Sequence, residues 1–137
     1  MKRIILSAML LFAVSVVSAQ QDGAKIAFKN TQYNYGSIKE DDGIAYYEFE
    51  FSNNGTSPLI IQRVSSSCGC TTPEWPKEPI APNKSGKIKV GYNPKSGNGP
   101  FAKTISVYTN GEPNVVVLQI KGDVTPHVKT VDEIYKI

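Results

Sequence analysis

Cys68 and Cys70 are the two cysteines of this chain, held one glycine apart in Ser67-Cys68-Gly69-Cys70-Thr71-Thr72. Two thiols at this spacing can oxidise to one another, hold a soft cation such as Cu(I) as thiolates, or pack as small unreactive hydrophobes. In a straight strand, residues i and i+2 lie near the upper limit of Cα spacing for a bridge, and their Cβ vectors run roughly parallel. A bend is needed, and Gly69 permits one. Closing so small a loop stabilises by only about 1.5 kcal/mol on the chain-entropy picture, before any strain is subtracted. So weak a staple favours a redox or binding role for the pair. The metal reading is short of further ligands. His127 is the sole histidine, both methionines (Met1 and Met9) lie at the extreme N-terminus, and a zinc site would have to recruit carboxylates. A disulfide at a strand end, near the surface, is the expected state, with copper binding and inert thiols as the alternatives.

Other chemistry is scarce, and no catalytic residue is expected. His127 alone could serve a Ser-His-Asp arrangement, and nothing marks a nucleophile elbow or a glycine-rich phosphate loop. Asp41-Asp42 reads as a solvated turn, and Glu48 with Glu50 as the wet face of a strand. Asn54-Gly55-Thr56 and Asn83-Lys84-Ser85 match the glycosylation acceptor pattern but read as turns. Lys84, Lys87 and Lys89 form no phosphate-binding cluster, because they interleave with Ile88 and Val90, so no nucleic-acid partner is expected. Neither is a cofactor. The candidate binding surface is Gly69 and Thr71 together with Trp75, Pro76 and Pro79. Pro73, Pro76, Pro79 and Pro82 recur every third residue, which would align them on one ridge of a polyproline II helix. A stiff crossover between sheets, with Trp75 packed down as a core anchor, is the plainer reading of the same stretch.

The first nineteen residues set the compartment. Lys2 and Arg3 precede an apolar run from Ile4 to Val17, and Val17-Ser18-Ala19 offers the small side chains a signal peptidase needs. The run is about fourteen residues, short of the roughly 20 a spanning helix requires. Cleavage between Ala19 and Gln20 is expected, giving a soluble periplasmic or extracellular protein with no membrane span. Removing Lys2 and Arg3 leaves 13 basic against 12 acidic residues, a net charge of +1. The expected division is a signal peptide over 1–19, one domain over 20–124 and a tail over 125–137.

Positioning the cysteines falls to short strands. Alternation in Ala45-Tyr46-Tyr47-Glu48-Phe49-Glu50-Phe51 puts Tyr47, Phe49 and Phe51 on one face and the glutamates on the other. Ile88, Val90 and Tyr92 oppose Lys87 and Lys89 in the same way. Strands are expected at Ile26–Tyr35 (breaking near Asn30-Thr31), Ile44–Phe51, Pro58–Val64, Lys87–Tyr92, Thr104–Tyr108 and Val115–Val124. Turns are expected at Asp42-Gly43, Asn54-Gly55, Asn98-Gly99 and Asn110-Gly111, dipeptides that tolerate positive φ. The tail would fray or add an edge strand. The whole predicts an all-β, immunoglobulin-like antiparallel sandwich of about seven strands, with Phe49, Phe51, Ile88, Val90, Leu118 and Ile120 in the core.

The order Tyr33-Asn34-Tyr35-Gly36-Ser37-Ile38, Phe49-Glu50-Phe51-Ser52-Asn53-Asn54-Gly55, Pro58-Leu59-Ile60-Ile61, Ser67-Cys68-Gly69-Cys70-Thr71, Pro79-Ile80-Ala81-Pro82 and Lys103-Thr104-Ile105-Ser106-Val107 resembles the bacterial secreted family of unknown function numbered 1573. Cys-Gly-Cys-Thr followed by Pro-Ile-x-Pro is the specific part. The resemblance spans nearly all of Ile26 to Val124. It implies an immunoglobulin-like sandwich outside the cytoplasm, akin to pilus-chaperone-like and major-sperm-protein-like domains, and it brings no activity. Asn83 stands where glycine is expected after the proline, and asparagine also tolerates positive φ. Two function classes follow. The first is an exported, non-enzymatic module binding an unknown protein partner. The alternative is a thiol–disulfide or Cu(I)-handling protein using Cys68 and Cys70.

Overall fold

The computed structural model describes residues 23–135. The expected leader and its cut between Ala19 and Gln20 lie outside the described residues. Among the described residues there are eight strands: β1 (Ile26–Phe28), β2 (Gln32–Lys39), β3 (Ala45–Asn53), β4 (Ile61–Ser66), β5 (Thr71–Glu74), β6 (Ser85–Tyr92), β7 (Gly99–Thr109) and β8 (Val115–Thr125). They form two four-stranded sheets, in the orders β1-β3-β6-β5 and β2-β8-β7-β4. The fold is the expected all-β sandwich. Every ladder is antiparallel except β2 with β8, whose parallel pairing shifts register between Asn34 and Ser37.

Alternation does the work anticipated for it. Phe49, Phe51, Ile88, Val90, Leu118 and Ile120 are each at most 1% exposed, and together with Leu59, Ile105 and Val107 they fill the space between the sheets. Aromatic rings extend this core. Tyr33 stacks on Tyr47 with centroids 3.6 Å apart, and Tyr92 stacks on Phe101 at 3.8 Å. The Tyr35 hydroxyl crosses from β2 and donates to the Val90 carbonyl at 3.2 Å. Burial, with neighbouring Tyr33 adding to it, pushes that phenol above its usual range.

Several expectations need correction. Thr71–Glu74 is a strand, paired with Tyr92 to Lys89 of β6, where a stiff crossover or a polyproline ridge was expected. Pro73 fits there because β5 is an edge strand, so its missing donor can face away from the ladder. No four-proline ridge forms: Pro73 lies in this ladder, and Ile80 pairs with Leu59 through reciprocal backbone hydrogen bonds of 2.8 and 2.9 Å. The Asn-Gly and Asp-Gly dipeptides are not all there for positive φ either. Gly43 and Gly99 have φ of 79° and 85°. Gly55 and Gly111 are instead required by close approach. A Cβ on Gly55 would lie 2.1 Å from the Gly23 carbonyl oxygen, and one on Gly111 would lie 2.7 Å from that of Ala24. The two turns grip the start of the domain from both sides, through Thr56 N to Gly23 O and Glu112 N to Ala24 O, each 2.9 Å. Asn83 does adopt positive φ, 62°. The tail forms one helical turn, α1 (Val131–Ile134), rather than a strand.

Candidate functional site

The cysteines sit where the chain leaves β4, an edge of one sheet, and enters β5, an edge of the other. Their turn therefore closes one side of the sandwich at the seam between sheets. Cys68 is bonded to Cys70 with Cα atoms 5.3 Å apart. That spacing is ordinary for a bridge, so the bend at Gly69 supplies what a straight strand could not. Both cysteines are half-buried, Gly69 is exposed, and Cys70 packs against the core.

Backbone and hydroxyl groups hold this turn independently of the sulfurs. Ser66 Oγ donates to the carbonyls of Cys68 (2.8 Å) and Thr71 (3.0 Å). Asn93 N donates to Cys70 O at 2.9 Å, and Ser67 N to Thr104 O at 2.9 Å. Thr104 N returns a bond to Ser67 Oγ at 3.1 Å. Thr71 is only 3% exposed, so it is a buried support and cannot serve as the surface contact expected of it. Its Oγ1 lies 3.6 Å from Cys68 Sγ and 3.8 Å from Cys70 Sγ. Sulfurs bonded to each other present no thiolate, so copper binding would belong to the reduced form. Among the described residues no group of three or more His, Cys, Asp or Glu is placed to hold a metal.

Trp75 does not stand beside the cysteines. β5 runs away from Cys70, and Trp75 follows its far end, about 16 Å along the strand at 3.3 Å per residue. There Trp75, half-buried, packs on the edge of the core, with Lys77 Nζ 3.2 Å from its ring centroid. Pro76 is half-buried beside it and Pro79 is exposed. The expected surface thus splits in two. What borders the cysteine turn instead is a cluster that the sequence did not single out. On the outer face of β6, Gly91 lacks a side chain, and three others converge over it. Tyr46 Cε1, Ile44 Cγ2 and Thr72 Oγ1 lie 2.8, 3.0 and 3.0 Å from where its Cβ would stand. Ile44 is 46% and Tyr46 51% exposed, and Lys89 Nζ lies 4.4 Å from the Tyr46 centroid. Thr72 and Gly91 pair across the ladder one step from Thr71 and Tyr92, which places this cluster next to the turn. The signal was present in Ile44 and Tyr46, apolar residues on the face that Glu48 and Glu50 mark as wet.

The tail also reaches this end of the sandwich. His127 pairs with Asp41 through Nδ1 and with Glu133 through Nε2 (2.9 Å), while its backbone N–H donates to Glu40 Oε2 at 2.9 Å. Asp41 is therefore an anchor and not merely a solvated turn residue. Hydrogen bonds that the imidazolium donates to Glu133 and Asp41 raise its pKa, and the same contact lowers that of Glu133. A second unanticipated residue is Asn53, wholly buried. Its Oδ1 accepts from Lys25 N (3.2 Å) and Gly55 N (3.0 Å), and its Nδ2 donates to Ser57 O (2.8 Å) and Ile80 O (2.9 Å).

Two packed four-stranded sheets make an immunoglobulin-like β-sandwich. PapD-like domain 7 of human CEP192 is similar at 14% identity and TM-score 0.64, over 78% of this chain and 89% of that one. The E. coli chaperone DraB is similar at 14% identity and TM-score 0.50, over 82% and 61%. A protein of unknown function from Porphyromonas gingivalis W83 is similar at 19% and TM-score 0.65, over 73% of this chain and 46% of that one, so this chain spans under half its length. These likenesses establish fold. Within that class, the chain belongs to the family described as protein of unknown function (DUF1573), which matches residues 26–124. No curated protein matches it. No helix among the described residues is long and apolar enough to cross a membrane.

Proposed function

We propose that this protein is an exported, non-enzymatic module that binds another protein through the face where Ile44, Tyr46 and Thr72 meet above Gly91, bordered by the exposed Gly69 of the cysteine turn. The observation that carries this reading is the exposure of Ile44 and Tyr46, 46% and 51%, side by side on a rigid sheet. An aromatic and an aliphatic side chain held by strand backbone lose little entropy on docking, and such residues supply most of the free energy at protein interfaces. The notch at Gly91 keeps both side chains flat against the sheet. Membership of a family without an assigned activity, and a PapD-like fold, are compatible with a binding module. Export belongs to the same reading. A leader over 1–19, cut between Ala19 and Gln20, would deliver a domain over 20–124 with its tail over 125–137 to a compartment where Cys68 and Cys70 can oxidise.

The test compares the wild type with Ile44→Asp/Tyr46→Ala as bait for interacting proteins from the native compartment. The double variant should lose a partner by more than about fivefold, equivalent to about 1 kcal/mol, with an unchanged melting temperature. Equal recovery by a folded double variant would overturn the assignment of this face. Intact mass of the exported protein tests the cut at Ala19; a form retaining Met1 as the main species would overturn it.

A further inference from the structure

The cysteine turn carries a second inference, independent of whether the neighbouring face has a partner. We propose that the Cys68–Cys70 bond is an exchangeable redox couple and not a scaffold staple, with the Thr71 hydroxyl as the positioning group that holds whichever sulfur bears negative charge. Three observations support it. First, the bond links residues two positions apart and so constrains almost none of the unfolded chain. Second, Ser66 Oγ, Asn93 N, Thr104 and Ser67 already hold the turn by hydrogen bonds that do not involve sulfur. Breaking the S–S bond therefore leaves both sulfurs in place, ready to close again. Third, the Thr71 hydroxyl is buried, and its hydrogen-bond partners are the two sulfurs. Neutral disulfide sulfur is a weak acceptor, whereas thiolate is a strong one, so this donor is better matched to the opened state.

The reaction takes a thiol as co-reactant. An external thiolate attacks Sγ of Cys68, the cysteine not packed against the core. A new S–S bond forms, the Cys68–Cys70 bond breaks, and its electron pair leaves on Cys70 Sγ, which accepts a hydrogen bond from Thr71 Oγ1. A second external thiolate then attacks the external sulfur of the mixed disulfide. Cys68 leaves as thiolate and takes up a proton from water. Two thiols are oxidised to one disulfide, and the protein disulfide is reduced to a dithiol; the reverse sequence reduces a disulfide substrate to two thiols and re-forms the Cys68–Cys70 bond.

The experiment incubates the purified oxidised protein with reduced glutathione or with a reduced thioredoxin-type dithiol protein, and quantifies opening by alkylation and mass. Opening by either supports exchange, and the faster reagent at equal thiol separates a small-molecule donor from a protein one. The reduced protein should keep its near-UV spectrum, with a melting temperature within about 6 °C of the oxidised form. Thr71→Val should slow opening about tenfold and raise the pH midpoint for alkylating the dithiol by about one unit, as expected for one lost hydrogen bond to charged sulfur, and Thr71→Ser should restore both. Should Thr71→Val fail to fold, Cys70→Ala serves instead, leaving Cys68 alone beside Thr71 with an alkylation midpoint below the free-cysteine value of about 8.5. No opening short of unfolding would overturn the proposal. So would a folded Thr71→Val with unchanged kinetics, or an ordinary midpoint in Cys70→Ala.

Discussion

Removing the Asn53 amide tests how the connections at the far end of the sandwich are held. Asn53 is 0% exposed, and all its hydrogen bonds go to backbone groups: the N–H groups of Lys25 and Gly55, and the carbonyls of Ser57 and Ile80. Those groups belong to the segment before β1, the β3–β4 connection and the segment before β6. One side chain thus joins three stretches outside the eight strands, two of which also meet at the Leu59–Ile80 bridge. Asn53→Ala removes four hydrogen bonds: the N–H groups of Lys25 and Gly55 and the Ser57 carbonyl lose their partner, while the Ile80 carbonyl keeps only the Leu59 N–H. At about 1 kcal/mol for each bond, the loss should be about 4 kcal/mol, a large share of a domain's usual 5–15 kcal/mol. Urea unfolding followed by Trp75 fluorescence measures it, with an unchanged m-value showing that the surface exposed on unfolding is the same. Asn53→Asp sharpens the test. Its carboxylate still accepts from Lys25 and Gly55 but turns a second oxygen toward two carbonyls. Burial and that repulsion raise its pKa above the unfolded value of about 3.9. For a raised carboxylate, stability is fully present at low pH and is lost as pH rises through the unfolded value toward the folded one. N53D should therefore lie nearest wild type at about pH 4 and fall behind by pH 7. A loss below about 1 kcal/mol in N53A, or an N53D penalty that does not change with pH, would refute the reasoning.

Other outcomes follow from the same geometry. Phe49→Ala should cost about 3–5 kcal/mol, since the ring is 1% exposed at the centre of the core; an unmoved denaturation midpoint would show the facing to be wrong. Trp75→Ala should lower the melting temperature while a folded sample retains its partner, because the indole packs on the core edge away from the cysteine turn; lost binding at full stability would reinstate Trp75 as a contact. The tail should dock in a pH-dependent manner. The His127 pKa is raised, so its contribution is complete below about 6.5 and is lost as pH rises through the folded value; that of Glu133 is lowered, so its contribution is present above about 4.3 and is lost on acidification through the folded value. Amide exchange at Val131–Ile134 should thus be slowest between those limits after correction for intrinsic rates, and His127→Ala should abolish the dependence.

The sequence by itself determined the class of fold and the identity of the core, because a period of two with one apolar face has one economical solution, and Phe49, Phe51, Ile88, Val90, Leu118 and Ile120 obey it. It also singled out Cys68-Gly69-Cys70, since a rare residue type at short spacing is visible without coordinates. It misjudged whatever depended on what lies across the seam. Thr71–Glu74 opens the stretch whose prolines read as a polyproline ridge or a stiff crossover, yet β6 offers it an edge where Pro73 has no bond to lose. Gly55 and Gly111 read as flexible turn residues, yet they are required because the chain near Gly23 and Ala24 passes within contact distance. Trp75 looks close to Cys70 in sequence, but an extended strand carries it away along the sheet edge, past the residue that pairs with Lys89. Ile44 and Tyr46 were part of an expected strand, and only Thr72 and the bare backbone of Gly91 show that they meet in one cluster. Tertiary structure decided these cases because each turns on distances between strands remote in sequence, which no local pattern encodes.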